Sequence, residues 1–174
     1  MVLPPTVAGF FLLCIFGVNG IIGSFFISIF NFKIAFSFSA TVVAATIISF
    51  PLMYKSARAA FEQIDPDLIN AARTLGMSEN SIFFKVMIPN ALSGIISGGV
   101  LAFARGLGEF GATAMLAGNI AGKTRTLPLA VYSEVMSGDM DTALIYVIII
   151  LAICFSAIVL LNIYDLKTRR KRSR

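Results

Sequence analysis

The sequence predicts an all-α, polytopic membrane protein, and three observations carry that reading. Apolar residues make up 57% of the 174 and charged residues only 13%, against roughly 45–50% and 25% in soluble domains. The apolar residues gather into long uncharged runs, Val2 to Phe32, Ile34 to Tyr54, Val86 to Ala104 and Thr142 to Tyr164, and about 20 such residues cross a bilayer core. The basic residues are distributed asymmetrically around those runs, as the positive-inside rule requires of a chain that crosses a membrane several times.

The first run predicts a span at about 5–17. A helix is expected from Pro5 to Phe16, then a turn through Gly17, Asn19 and Gly20, then a short apolar helix from Ile21 to Phe30 at the surface. The second span is placed at about 36–54 and the third at about 89–115. The fourth, at about 142–164, is the plainest because its apolar run, TALIYVIIILAICFSAIVLLNIY, is unbroken. No repeat or low-complexity linker appears, so residues 1–174 read as one membrane domain.

Four spans put the 55–89 segment and the C-terminus on one side. That side holds Lys55, Arg58, Arg73, Lys85 and the six basic residues from Lys167 to Arg174, ten of the fourteen in the chain. It is therefore the cytoplasmic side, and the N-terminus of this chain faces it too. The tail KTRRKRSR fixes topology and meets anionic lipid headgroups. The pI near 9.5 then reflects membrane placement, and no nucleic-acid partner is expected. Cys14 and Cys154 lie in apolar runs and read as buried free thiols that pack as small hydrophobes. There is no His. No metal site, cofactor, nucleophile or general base is expected, and an enzyme finds no support.

The polar insertion between the second and third spans, about 56–88, carries its own helix punctuation. Asp65-Pro66-Asp67 is a helix start: an Asp cap, Pro at the first helical position, an acid in the first turn. Leu68, Ala71, Ala72 and Leu75 form an apolar stripe at helical spacing, and Gly76 ends the helix. Ser78 caps a second helix, Glu79 to about Val86, with Ile82, Phe83 and Val86 on its apolar face. Pro89 starts the next span. The small pair Ala71-Ala72 lets another surface approach the helix closely, with Arg73, Glu79 and Lys85 around it to orient that surface. A helix lying flat on the membrane is the other reading of the same residues.

This stretch resembles the cytoplasmic coupling loop of ABC-importer permeases, whose pattern is Glu-Ala-Ala, three residues, Gly, nine residues, then a hydrophobic-Pro end. Here Asn70-Ala71-Ala72, Gly76 and Ile88-Pro89 stand at that spacing. Asn70 replaces the usual Glu, so a hydrogen bond stays available there and a salt bridge does not. FARGLGEFGAT, GNIAGKTRTLPLAVY and SFPLMYKSARAAFEQIDPDLINAARTLG are similar to the molybdate/tungstate (ModB-type) permeases. The sulfate/thiosulfate relatives carry Tyr in the Gly-Glu-Phe position.

The resemblance implies a type I importer permease that translocates molybdate. It also implies partners: a cytosolic ABC ATPase dimer on the loop, a second permease subunit forming a homodimer, and an extracytoplasmic molybdate-binding protein. Asn70, Ala71, Ala72, Arg73, Gly76, Phe83 and Pro89 would carry the ATPase contact. Tungstate or sulfate/thiosulfate transport is the alternative. The family has about six spans and this chain supplies four, starting at the Pro-Pro that opens the family's third helix. A truncated fragment that inserts and transports nothing is therefore a further alternative.

Three features lie outside the loop. AGNIAGKT (117–124) imitates a nucleotide-binding P-loop but follows a membrane helix on the outer side, where no strand precedes it. Lys123 and Arg125 there are candidates for contact with the binding protein, a plain solvated loop being the other reading. Arg105 and Glu109, four residues apart near the outer end of the third span, are either a local ion pair, the reading favoured here, or pathway residues. Thr113 and the backbone at Gly111 are candidate neutral donors to a passing dianion. Gly94, Gly98, Ala102 and Gly106 form a small-residue ridge for close helix packing.

Overall fold

A computed structural model describes residues 3–172. All regular structure among the described residues is helical: α1 (Pro5–Phe16), α2 (Ile21–Phe30), α3 (Phe38–Glu62), α4 (Pro66–Thr74), α5 (Glu79–Ile82), a π-helical turn (Phe83–Met87), α6 (Ile88–Leu107), α7 (Gly111–Ala117), α8 (Leu127–Ser137) and α9 (Met140–Arg172). Three helical segments, 38–62, 79–107 and 140–160, are long and apolar enough to cross a membrane. Helices α1 and α2 meet at a bend of 43° and add a fourth crossing if they count as one broken span. By itself α1, at 12 residues, is about 18 Å long. That is well short of a hydrocarbon core of about 30 Å, so the span expected at 5–17 needs α2 to be a full crossing. Ser173 and Arg174 of the basic tail lie outside the described residues, as do the side chains from Tyr164 to Arg172. The headgroup reading of the tail thus falls outside what is described.

Packing divides the chain into two units, residues 1–50 with 103–155 and residues 51–102 with 156–174. In the first, the core is built where α1 meets α7, with Leu12, Ala40, Ala44, Ala112, Leu116 and Ala117 among its buried members. Small residues make this possible. A β-carbon on Gly9 would sit 2.6 Å from the Cα of Ala112, so the two backbones are in contact. In the second unit the small residues predicted as a ridge perform the same task. A β-carbon on Gly94 would lie 2.5 Å from that of Ala60, and one on Gly98 would overlap Ser56.

Four boundaries depart from expectation, each for a physical reason. Helix α3 runs to Glu62 rather than ending near Tyr54: it passes through Pro51 and stops only before Ile64-Asp65-Pro66. An Arg58–Glu62 pair at 2.7 Å braces its last turn. Pro89 does not start a helix, since 79–107 is helical throughout and the turn before Pro89 widens instead. The third span does not reach residue 115: α6 stops at Leu107 and α7 begins at Gly111 after a three-residue break. Helix α8, at 127–137, is an element the sequence reading did not contain. Pro128 opens it, and Gly138, at φ +84°, ends it.

Cys14 is exposed on α1 and Cys154 half-buried on α9, both free. The expectation of two buried thiols fails because an apolar run in a membrane protein need not be an inward face. Its outer face meets lipid, which accepts a thiol as readily as a core does.

Candidate functional site

The loop between α3 and α6 is shaped by its own backbone. The Asp65 carboxylate accepts the amide of Asp67 at 2.9 Å and opens α4. Gly76, at φ +76°, closes it. The amide of Gly76 donates to the carbonyl of Arg73 at 2.9 Å and that of Met77 to Ala72 at 3.2 Å, the two bonds of a Schellman stop. The Ser78 hydroxyl then receives the Ser81 amide at 3.4 Å and opens α5. Arg73 crosses the turn and grips Glu79 with two bonds, Nε to Oε1 at 2.7 Å and Nη2 to Oε2 at 3.1 Å. This hydrogen-bonded carboxylate, and then its charge, hold the Arg73 guanidinium above its ordinary pKa. The pair is exposed, so its value is orientation more than stability. Asn70 offers its side-chain oxygen to Arg73 only at 3.4 Å.

Almost nothing covers this frame. Only Ala72 and Ile82 are buried at its corner. Ala71 and Leu68 are exposed, Leu75 is 82% exposed and Phe84 66%. Of the small pair singled out in the sequence, Ala72 packs inward and Ala71 alone is presented. Phe83 stacks on Phe61 at the end of α3, ring centroids 6.0 Å apart and planes 14° from parallel, with Phe84 edge-on to it at 5.2 Å. A cavity of about 260 Å³ lies at the foot of the loop, lined in part by Gln63, Asp65, Leu68 and Asn90.

At the α6–α7 break, Arg105 and Glu109 form an ion pair at 2.8 Å. The Glu109 side chain is 1% exposed and that of Arg105 34%. The other Glu109 oxygen accepts the amide of Ala112 at 2.9 Å, so one carboxylate neutralises Arg105 and caps α7. The cap was not visible from spacing alone, which shows Arg105 and Glu109 as neighbours but not the helix restart between Glu109 and Ala112. Thr113 is 1% exposed. A β-carbon on Gly111 would come within 3.0 Å of Thr6. Neither faces open space in this conformation, so the two do not offer donors to a passing anion here.

The 118–126 loop is tightly folded. The amides of Lys123, Thr124 and Arg125 all converge on the carbonyl of Ile120. The buried Thr124 hydroxyl receives the amide of Ile120 at 3.1 Å. Arg125 donates to Asn119 at 3.0 Å and lies 3.6 Å from Glu134. Both cations of the predicted pair are exposed, and the charge of Arg125 is largely answered within the chain. The loop joins two helices, α7 and α8. The strand that a phosphate-binding loop must follow is absent, and the nucleotide reading goes with it.

Residues 1–170 match the family model described as the inner membrane component of binding-protein-dependent transport systems. The chain is 47% identical over 137 residues to the molybdenum transport system permease protein ModB of Escherichia coli (strain K12), covering 79% of this chain and 60% of that one. It is 44% identical over 137 residues to the protein of the same description from Haemophilus influenzae, with the same coverage. Against the sulfate transport system permease protein CysW of Synechocystis it is 34% identical over 164 residues, 94% of this chain and 59% of the relative. The chain thus spans about three fifths of the length of these relatives. With the family model matched along nearly its whole length, the chain belongs to the family of binding-protein-dependent transport system inner membrane components.

Proposed function

We propose that this chain is the permease subunit of an ATP-driven importer of molybdate, one permease domain that works by alternating access. The observation that carries the reading is the α4–α5 corner, which two caps, a Schellman stop and an ion pair shape while Ala71, Leu75 and Phe84 stay exposed on it. A short element held this firmly without a core of its own is shaped for another protein. A bilayer-resting helix could use the exposed Leu68, Leu75 and Phe84 as anchors, and it is the small, exposed Ala71 beside the Arg73–Glu79 pair that favours a protein surface.

In this reading a cytosolic ATPase dimer takes the α4–α5 corner, with Ala71 as the point of close approach and the Arg73–Glu79 pair holding the turn beside it in orientation. Hydrolysis belongs to the ATPase. A second copy of the permease completes the path. An extracytoplasmic binding protein delivers the oxyanion to the outer face, where Lys123 offers a cation to an acidic rim. The termini of this chain and the coupling loop share the cytoplasmic side. Arg105 serves as a clamp on the α6–α7 break and not as an anion site, because Glu109 cancels its field at 2.8 Å.

Molybdate is favoured over sulfate by the higher identity to the relatives described as molybdenum permeases, 44–47% against 34% for the one described as a sulfate permease. Uptake of labelled molybdate by membranes containing this chain with its ATPase and binding protein tests the reading. ATP-dependent uptake that tungstate suppresses and excess sulfate does not is expected. Uptake suppressed by sulfate would move the chain to the sulfate class. Absence of uptake from correctly inserted protein would leave a non-transporting fragment.

A further inference from the structure

The join between the loop and α6 contains a feature the transport reading does not by itself require: a wide turn, Phe83–Met87, in which the amide of Ile88 donates to the carbonyl of Phe83, five residues back. The cause lies two residues on. In an α-helix the ring of Pro89 would collide with the carbonyl of Lys85, and Pro89 has no amide to offer it. Widening the turn moves that carbonyl aside and keeps the helix unbroken from Glu79 to Leu107. Asn90 assists, its side-chain amide donating to the carbonyl of Val86 at 2.8 Å.

The wide turn has a geometric consequence. It holds one residue more than an α-turn, and one residue is about 100° of helix rotation. The face of α5 is therefore turned by about that angle relative to α6, compared with an uninterrupted α-helix. In this phase Phe83 lies parallel to Phe61 on α3. The loop is consequently joined to the rest of its unit by two routes, covalently through the wide turn to α6 and through the Phe83–Phe61 stack to α3.

We propose that Pro89 and Asn90 are positioning residues for transport. They hold the wide turn, which aims Phe83 at Phe61, so that a push on the loop moves α3 and α6 together. The proposal rests on the ATPase-docking reading, and the two can fail separately.

The test uses the complete assembly in native membranes, with Cys14 and Cys154 replaced. Docking is read by cross-linking from an Ala71→Cys substitution. Phase is read by a short bifunctional maleimide between cysteines placed by Phe61→Cys and Phe83→Cys. Coupling is read as molybdate carried per ATP hydrolysed. Pro89→Ala allows the turn to close to α-geometry. It is expected to keep capture at position 71, lose the 61–83 cross-link, and lower transport per ATP by about tenfold, within the 5–150-fold span of typical coupling between sites. Asn90→Leu should act in the same direction more weakly, and it carries the test if Pro89→Ala does not insert.

A parent chain that shows no capture at position 71 overturns the docking reading and this inference with it. With parental capture intact, three results overturn the inference alone: transport per ATP at the parental level in Pro89→Ala, transport lost while the 61–83 cross-link persists, or capture lost only in the variant.

Discussion

The α1–α7 corner and the α4–α5 loop are both built from short helices and small residues, but the small residues serve opposite ends. At the corner, Gly9 and Ala112 bring two backbones into contact, and Ala112 and Leu116 are wholly buried. In the loop, Ala71 stays on the surface beside Leu68 and Leu75, and backbone caps supply the shape that packing supplies at the corner. The corner closes its small residues against the same chain, whereas the loop leaves Ala71 on the surface, where the proposed partner would meet it. Smallness in a sequence therefore signals close approach without saying whether the approaching surface belongs to the same chain.

That contrast can be broken most forcefully at the corner. Gly9→Leu places side-chain atoms where the Ala112 backbone already stands, 2.6 Å from the new β-carbon. It should cost about 3 kcal/mol, the upper range for overpacking. Thermal unfolding in detergent would read this as a large drop in midpoint. Ala71→Leu in the loop meets no such wall and should leave the midpoint unchanged while reducing ATPase capture.

Glu109→Ala comes next. It removes the partner of Arg105 and the cap of α7 together. The expected loss is about 2–3 kcal/mol, less than a fully buried pair would show because Arg105 keeps a third of its exposure. The Arg105→Ala/Glu109→Ala double variant should be milder than the sum of the singles. Additive losses in the same unfolding measurement would show that the two are not coupled.

A smaller effect separates backbone shape from packing. A β-carbon on Gly76 meets nothing within 4 Å, yet its φ is +76°. Gly76→Ala should therefore cost about 1 kcal/mol through the left-handed backbone alone. In the loop that cost lands on the docking surface, so weakened capture with a nearly parental unfolding midpoint is expected. A midpoint drop as large as that of Gly9→Leu would mean the loop is part of the core after all.

The smallest effect is a pH dependence at the start of α9. The Asp139 carboxylate accepts the backbone amide of Thr142 at 3.0 Å and its hydroxyl at 2.7 Å, and these bonds hold it below the usual carboxylate range. A depressed folded pKa means that the stabilisation is present above the ordinary aspartate value, about 4. It is lost as pH falls through the folded value. Asp139→Asn should flatten the acid side of the unfolding-midpoint profile slightly. An unchanged profile would remove Asp139 from the account.

Much of this architecture was legible in the residues, for reasons that are local. Asp65-Pro66, Gly76 and Ser78 each act within a few residues of themselves, and α4 starts and stops where they say. The start and end of α1 and the start of α2 are likewise marked by Pro5 and the glycine-rich turn, while left-handed Asn31 ends α2. What stayed hidden depends on more than one position at a time. Pro89 read as a helix start because Pro commonly opens a helix, and the wide turn before it lets the helix pass through instead. Glu109 read as half of an ion pair, while its cap depends on where α7 restarts. Arg125 read as a candidate binding-protein contact or a solvated loop cation, and its ties to Asn119 and Glu134 were hidden because those partners lie six and nine residues away in no single pattern. Helix α8 had signals in Pro128 and Gly138 that the longer apolar runs overshadowed.

The central claim is that the exposed α4–α5 corner docks on a cytosolic ATPase. Paired single-cysteine capture tests it most directly. In a chain lacking Cys14 and Cys154, Ala71→Cys stands on the surface and Ala72→Cys, at a position 6% exposed, faces inward. The account predicts that the first traps an ATPase subunit in native membranes, in a manner that changes with ATP, and that the second does not. Equal capture from both positions, or none from protein shown to be correctly inserted, would contradict it.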